Sequence, residues 1–154
     1  MNKLFAKISI PNIAIALVIA IFFIVDRCLK YLALNLSGAE PLRIVGNIFS
    51  FQFTANSYMA FSLPFGGWLL DALIILIIGL LIYYIVYLTL NKKEQRWTII
   101  LLTFILFGAI SNVLDRFIFG YVIDYLSLKY FTVFNLADIM ISVGAIILIL
   151  KLKK

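Results

Sequence analysis

Asp115, Asp124 and Asp138, three of the seven acidic residues in this 154-residue chain, fall within or beside segments apolar enough to lie in a bilayer. A lone charge at membrane depth costs roughly 2.5 kcal/mol or more, so an acid kept there pairs with a cation, faces a polar cavity or does chemistry. Two carboxylates sharing a site suit one chemistry above others. Repulsion between them raises the pKa of one, which stays protonated and polarises a carbonyl, while its ionised partner takes a proton from water. The reaction is peptide hydrolysis through a tetrahedral diol, with Asn or Arg donors stabilising the charge that develops. Histidine is absent and the single cysteine, Cys28, sits inside an apolar segment. That leaves no disulfide framework and no metal-ligand spacing, and neither a metal nor a cofactor is expected.

The elements that must position these acids are membrane helices. Hydrophobic residues make up 65% of the chain and charged ones 13%, with a mean hydropathy of +1.14. A spanning helix needs about 20 apolar residues, so this length holds one bundle of four. The expectation is a single integral membrane domain over residues 1–154, with spans at about 8–34, 68–90, 97–114 and 135–152 and outer loops at about 35–67 and 117–134. The first apolar run continues straight into Asp26-Arg27-Cys28-Leu29-Lys30, which reads as an uncleaved spanning helix. Eight lysines and arginines lie with the two termini and the Asn91–Arg96 connector, against Arg43 and Lys129 alone in the other loops. The net charge of +6 therefore sorts by membrane side, with no nucleic-acid partner implied, and both termini are expected in the cytoplasm.

In the first outer loop, Leu42–Val45 and Ile48–Thr54 flank Gly46-Asn47, a hairpin signal, with Phe49, Phe51 and Phe53 on alternate positions. Leu126–Val133 has strand composition and would extend the hairpin into a small antiparallel sheet. The expected fold class is thus a membrane α-helical, four-transmembrane-helix bundle with a small extracytoplasmic sheet as a platform.

On this topology the polar residues converge at one membrane level: Asp26 and Lys30, then Asn112, Asp115 and Arg116, then Asp124, then Asn135 and Asp138. Spacings of three and four put Asn112, Asp115 and Arg116 on one helix face. Structural roles compete with chemical ones at several positions. Asp26 and Lys30, at i and i+4, form a self-neutralising pair; Asp115 and Arg116 form a buried pair; Asn135 and Asp138 form a capping box. Asp124 has no cap to serve and no neighbouring cation. A proton relay built from Asp115, Asp124 and Asp138 is the alternative from a different functional class.

Four stretches resemble lipoprotein signal peptidase, the bacterial membrane aspartyl peptidase family also called signal peptidase II. They are Asp26-Arg27-Cys28-Leu29-Lys30; Asn56 with Ala60-Phe61-Ser62; Asn112-Val113-Leu114-Asp115-Arg116 followed by Gly120-Tyr121-Val122-Ile123-Asp124-Tyr125; and Phe134-Asn135-Leu136-Ala137-Asp138. The resemblance covers nearly the whole chain. It implies that Asp124 and Asp138 are the catalytic dyad, that Asn56, Asn112, Arg116 and Asn135 bind or orient substrate and dyad, and that Asp26, Lys30 and Asp115 support them. It also implies lipidated prolipoproteins as substrates, arriving sideways through membrane lipids, and a monomer in the bacterial cytoplasmic membrane with its site on the extracytoplasmic side. The family's loop glycine is Tyr58 here, which implies a reshaped pocket, and a precursor-binding pseudo-enzyme is the remaining alternative.

Overall fold

The computed structural model describes residues 10–57, 67–91 and 95–153. Lys3, Lys7, Tyr58, the Ala60-Phe61-Ser62 box, Lys92 and Lys93 lie outside the described residues. In chain order the elements are α1 (Ile10–Asn35), β1 (Leu42–Val45), β2 (Phe49–Asn56), α2 (Trp68–Leu90), α3 (Arg96–Phe119), β3 (Val122–Leu128), β4 (Val133–Phe134) and α4 (Leu136–Leu152).

The helix that organises the others is α3, which packs against α1, α2 and α4. Its closest neighbour is α4, and Gly108 explains the approach. A Cβ at Gly108 would lie 2.7 Å from the Ala137 carbonyl oxygen and 3.1 Å from Met140 Cβ, so only a residue without a side chain lets the two backbones come this near. Against α1 the packing is aromatic, with Phe22 edge-on to Phe104 at 5.5 Å and Phe23 edge-on to Phe107 at 5.7 Å. Two helices, Trp68–Leu90 and Arg96–Phe119, are long and apolar enough to cross a membrane among the described residues. Leu76 and Leu80 of α2 and Ile146 and Leu150 of α4 are exposed, leaving the bundle an apolar outer surface far larger than a water-soluble domain carries.

The third helix runs five residues beyond its expected end at Leu114, to Phe119. Charge at Asp115 and Arg116 looks like an exit from the bilayer, but both side chains find ion-pair partners on other helices, so the helix continues through them. It stops at Gly120, whose φ of 80° is left-handed and whose N–H returns to the Arg116 carbonyl at 2.9 Å.

The four strands form one antiparallel sheet in the order β1-β2-β3-β4. The first hairpin falls where Gly46-Asn47 places it, with β2 ending at Asn56 rather than Thr54. The single strand expected at Leu126–Val133 is corrected. Those residues hold the end of β3, a turn at Lys129–Phe131, and β4. A Lys-Tyr-Phe turn carries none of the Gly, Asn or Asp that mark turns in sequence. The sheet rests on the bundle through a core of Ala33 from α1 with Ile123 and Tyr125 from β3, to which Phe51 and Phe53 of the hairpin are added.

Candidate active site

Asp26 and Lys30 share one face of α1, one turn apart, and both are completely buried. Asp26 Oδ1 accepts from the Tyr125 hydroxyl at 2.9 Å and the Ala137 backbone N–H at 3.1 Å; Oδ2 accepts from the Ser111 hydroxyl and faces Lys30 Nζ at 3.2 Å. One carboxylate thus ties α1 to α3, β3 and α4. Burial, with the negative charge of Asp26 second, pushes the Tyr125 hydroxyl up, so it stays a donor. Asp115 is held from two sides: Arg27 Nη1 meets Oδ1, while Lys30 Nζ at 2.7 Å and the Ile123 N–H at 3.2 Å meet Oδ2. Two cations and two carboxylates make a formally neutral quartet, the arrangement in which buried charge is tolerable.

The second pair of acids is held differently. Asp124 lies on β3, 2% exposed, and its partners are amides: Asn135 Nδ2 donates to Oδ1 at 2.7 Å and Asn56 Nδ2 to Oδ2 at 2.9 Å. The register of the sheet makes the second contact possible. Pairing shifts between Phe51↔Leu126 and Thr54↔Asp124, so Asn56, opposite Val122, stands on the same face as Thr54 and Asp124. Unshifted pairing would put Phe53 opposite Asp124 and turn Asn56 to the other face.

Asp138 reaches the same place from α4. The β3–β4 hairpin brings the chain straight back to Asn135, the N-cap of α4, whose Oδ1 accepts from the Asp138 N–H at 2.8 Å while Asp138 Oδ2 accepts from the Asn135 N–H at 3.4 Å. This is the capping box anticipated from spacing, and its Asn amide does double duty. Asn135 Nδ2 donates to Asp124 and, at 3.2 Å, to Asn112 Oδ1, and Asn112 Nδ2 donates to Asp138 Oδ1 at 2.8 Å. Asp124 and Asp138 therefore belong to one hydrogen-bonded group, with Asp138 the more exposed. Burial first, and the negative charge of Asp138 second, push Asp124 from 3.8 up to about 7, against the opposing donors of Asn56 and Asn135 and the charge of Lys30. A carboxyl that holds its proton near neutrality beside a second carboxyl is equipped for general acid–base work.

The profile of the family described as signal peptidase (SPase) II matches residues 18–154. The chain belongs to that family. Proteins named lipoprotein signal peptidase are similar to it along most of their length. The one from Clostridium novyi (strain NT) is 35% identical, spanning 86% of this chain and 92% of its own. That of Trichormus variabilis is 38% identical over 84% and 83%, and that of Streptococcus thermophilus 32% over 96% and 94%. Two solved structures described as bacterial membrane enzymes share the fold at 19% identity, with TM-scores of 0.73 and 0.72, covering 90% and 92% of this chain and 87% and 93% of theirs.

Of the signal peptidase II motif residues singled out in the sequence, Asp26, Lys30, Asn56, Asn112, Asp115, Asp124, Asn135 and Asp138 are joined by the contacts above. Arg116 is placed elsewhere. Its Nη1 lies 3.5 Å from Asp71 Oδ1 on the first turn of α2, so the expected Asp115–Arg116 pair is replaced by three pairs that cross between helices. Consecutive helical residues point about 100° apart, which sends Asp115 towards α1 and Arg116 towards α2. Four residues of the network escaped sequence reading: Arg27, Ser111, Tyr125 and Asp71. The first three stand next to Asp26, Asn112 and Asp124, and a polar group beside a buried acid was the available signal; Asp71 offered none.

Proposed function

We propose that this chain removes signal peptides from diacylglyceryl-modified prolipoproteins, with Asp124 and Asp138 as the catalytic dyad. The observation that carries the reading is that these two carboxyls, unlike Asp26 and Asp115, are bound by side-chain amides into one group, with Asp124 near 7. Asp138, ionised, takes a proton from the attacking water, whose oxygen bonds to the scissile carbonyl carbon. Asp124 delivers its proton to the carbonyl oxygen, giving a neutral diol. Collapse of the diol breaks the C–N bond as Asp138 passes the proton it took to the departing amine, while the new carboxyl forms and Asp124 is reprotonated. Asn56, Asn112 and Asn135 hold the dyad in place. Arg116 stands apart from this shell, paired with Asp71.

The membrane arrangement in this proposal has all four helices spanning, residues 1–154 acting as one monomeric domain, both termini cytoplasmic and the sheet on the extracytoplasmic surface. Its support is the charge asymmetry of the loops and the position of the site where the sheet joins α3 and α4, while Lys151 Nζ meets Thr98 Oγ1 at 2.9 Å near the opposite ends of α4 and α3. A substrate with its lipid in the bilayer reaches such a site laterally. A proton relay requires titratable groups through both halves of a membrane, whereas among the described residues the buried Asp26, Asp115 and Asp124 and the half-buried Asp138 gather at one end.

The test is cleavage of a diacylated precursor by purified protein, read as a gel shift. Asp124→Asn and Asp138→Asn each abolish the shift in a folded protein. A full shift by either variant removes the dyad, and an inactive wild type that still retains the precursor leaves a binding pseudo-enzyme.

A further inference from the structure

Lys30 is asked for more than an ammonium can give. It has three N–H donors, and four acceptors stand around it: Asp115 Oδ2 at 2.7 Å, Asn112 Oδ1 at 2.8 Å, Asp26 Oδ2 at 3.2 Å and Ser111 Oγ at 3.5 Å. Two of these are buried carboxylates and one is the neutral amide that orients Asp138. In competition for one cation, charged acceptors outbid an amide oxygen. The bond to Asn112 survives only if something else satisfies part of the negative charge.

Arg27 is placed to do that. It is the residue after Asp26, its side chain is 27% exposed, and its guanidinium reaches inward from α1 to the oxygen of Asp115 that Lys30 does not use, with a second contact to the Ser111 carbonyl at 3.1 Å. We infer that Arg27 is a positioning residue of the reaction: by holding Asp115 from its far side, it leaves Lys30 a proton for Asn112 Oδ1, which fixes the Asn112 amide with its Nδ2 on Asp138. The inference rests on the proposed dyad and adds a residue that touches neither of its acids. The chain of contacts is Arg27, Asp115, Lys30, Asn112, Asp138, and it crosses from α1 to α3, back to α1 and again to α3 before ending on α4.

The charge balance gives a second consequence. Among the described residues, the charged and titratable groups around the dyad are Asp26, Arg27 and Lys30 from α1, Asp115 from α3 and Tyr125 from β3, while the Arg116–Asp71 pair joins α3 to α2. With Arg27 the four charges of the quartet cancel. Without it they leave one net negative charge beside Asp124, which holds its proton more tightly in that field.

The experiment measures kcat, KM and the pH profile for cleavage of the diacylated precursor by Arg27→Gln and Arg27→Lys, with wild type and Asp124→Asn alongside and thermal unfolding in detergent as the folding control. Arg27→Gln is expected to lower kcat by about ten- to a hundredfold with KM little changed, as a misplaced catalytic group does, and to move the alkaline limb of the profile to higher pH. Arg27→Lys restores the charge, hence the limb and most of kcat. Wild-type kcat and profile in folded Arg27→Gln overturn the inference. So does a loss that Arg27→Lys fails to recover with the limb unmoved, which is the mark of a packing role. Where Arg27→Gln does not fold, Arg27→Met keeps the apolar stem against α3 and takes its place. A wild type that does not cleave ends the proposed function and this inference together; cleavage lost in Asp124→Asn but untouched in Arg27→Gln ends the inference alone.

Discussion

Two pairs of carboxylates sit side by side in this protein and are kept in opposite ways. Asp26 and Asp115 meet cations, Lys30 for both and Arg27 for Asp115, and their remaining capacity is taken by Tyr125, Ser111 and backbone N–H groups. Asp124 and Asp138 meet the amides of Asn56, Asn112 and Asn135. An ion pair occupies a carboxylate in holding helices together. An amide donor orients a carboxyl without neutralising it, so a proton can come and go. Residue type alone says nothing of this difference; the neighbours supply it.

The largest effect separates the pairs directly. Asp124→Asn lowers cleavage by about 10²–10⁴-fold, the usual worth of a positioned acid or base, while thermal unfolding in detergent stays as in wild type. Asp115→Asn does the reverse, losing stability before chemistry. If Asp115→Asn keeps its melting temperature yet abolishes cleavage, the reactive pair becomes Asp115 with Asp138 and the contrast collapses. Next in size is Lys30→Met, which leaves buried Asp26 without a cation and Asp115 with Arg27 alone, and costs about 3–5 kcal/mol of stability, read as a lowered melting temperature or as loss of the folded peak in size exclusion. Unchanged unfolding would mean that the quartet holds nothing together.

Smaller effects sharpen the comparison from the amide side. Because Asp124 is raised from 3.8 to about 7, its protonated form is the working one, and cleavage falls as pH rises through about 7, with the apparent value belonging to the coupled pair. The sign for stability is the same: the contribution of this proton is complete below pH 3.8 and is lost as pH climbs through about 7. A profile flat to pH 9 would remove Asp124 as the proton donor. Asn56→Ala deletes a donor that favours the ionised form, so the limb moves to higher pH and cleavage drops by about tenfold, the worth of one ordinary hydrogen bond; an unmoved limb detaches Asn56 from Asp124. The least effect belongs to Asp71→Asn. Its pair with Arg116 is 44% exposed on the Asp71 side, and its loss costs less than about 1 kcal/mol of stability by thermal unfolding. A larger cost would give that pair a share in the scaffold.

Much of the fold can be read along the chain because its signals are local. A long apolar run marks a helix, so α2 at Trp68–Leu90 and α4 at Leu136–Leu152 follow from composition, and Gly46-Asn47 marks its own hairpin. The capping box of Asn135 and Asp138 is likewise a matter of three residues' spacing. What was missed lies where a local signal is weak or misleading: the turn at Lys129–Phe131, and the end of α3, drawn short because the apolar run is interrupted by the charges of Asp115 and Arg116.

By itself, the sequence determined which side chains are available for chemistry and at which end of the bundle they stand, because helix length, loop charge and motif order are properties of a chain read in one dimension. Only the tertiary structure decided which acid each cation serves. Asp115 is beside Arg116 in sequence yet pairs with Arg27 and Lys30, and Asn56 faces Asp124 because the sheet slips its register by one residue. Partners across helices and strands are set by which faces pack, over separations of up to 111 residues here, and no spacing rule reaches that far.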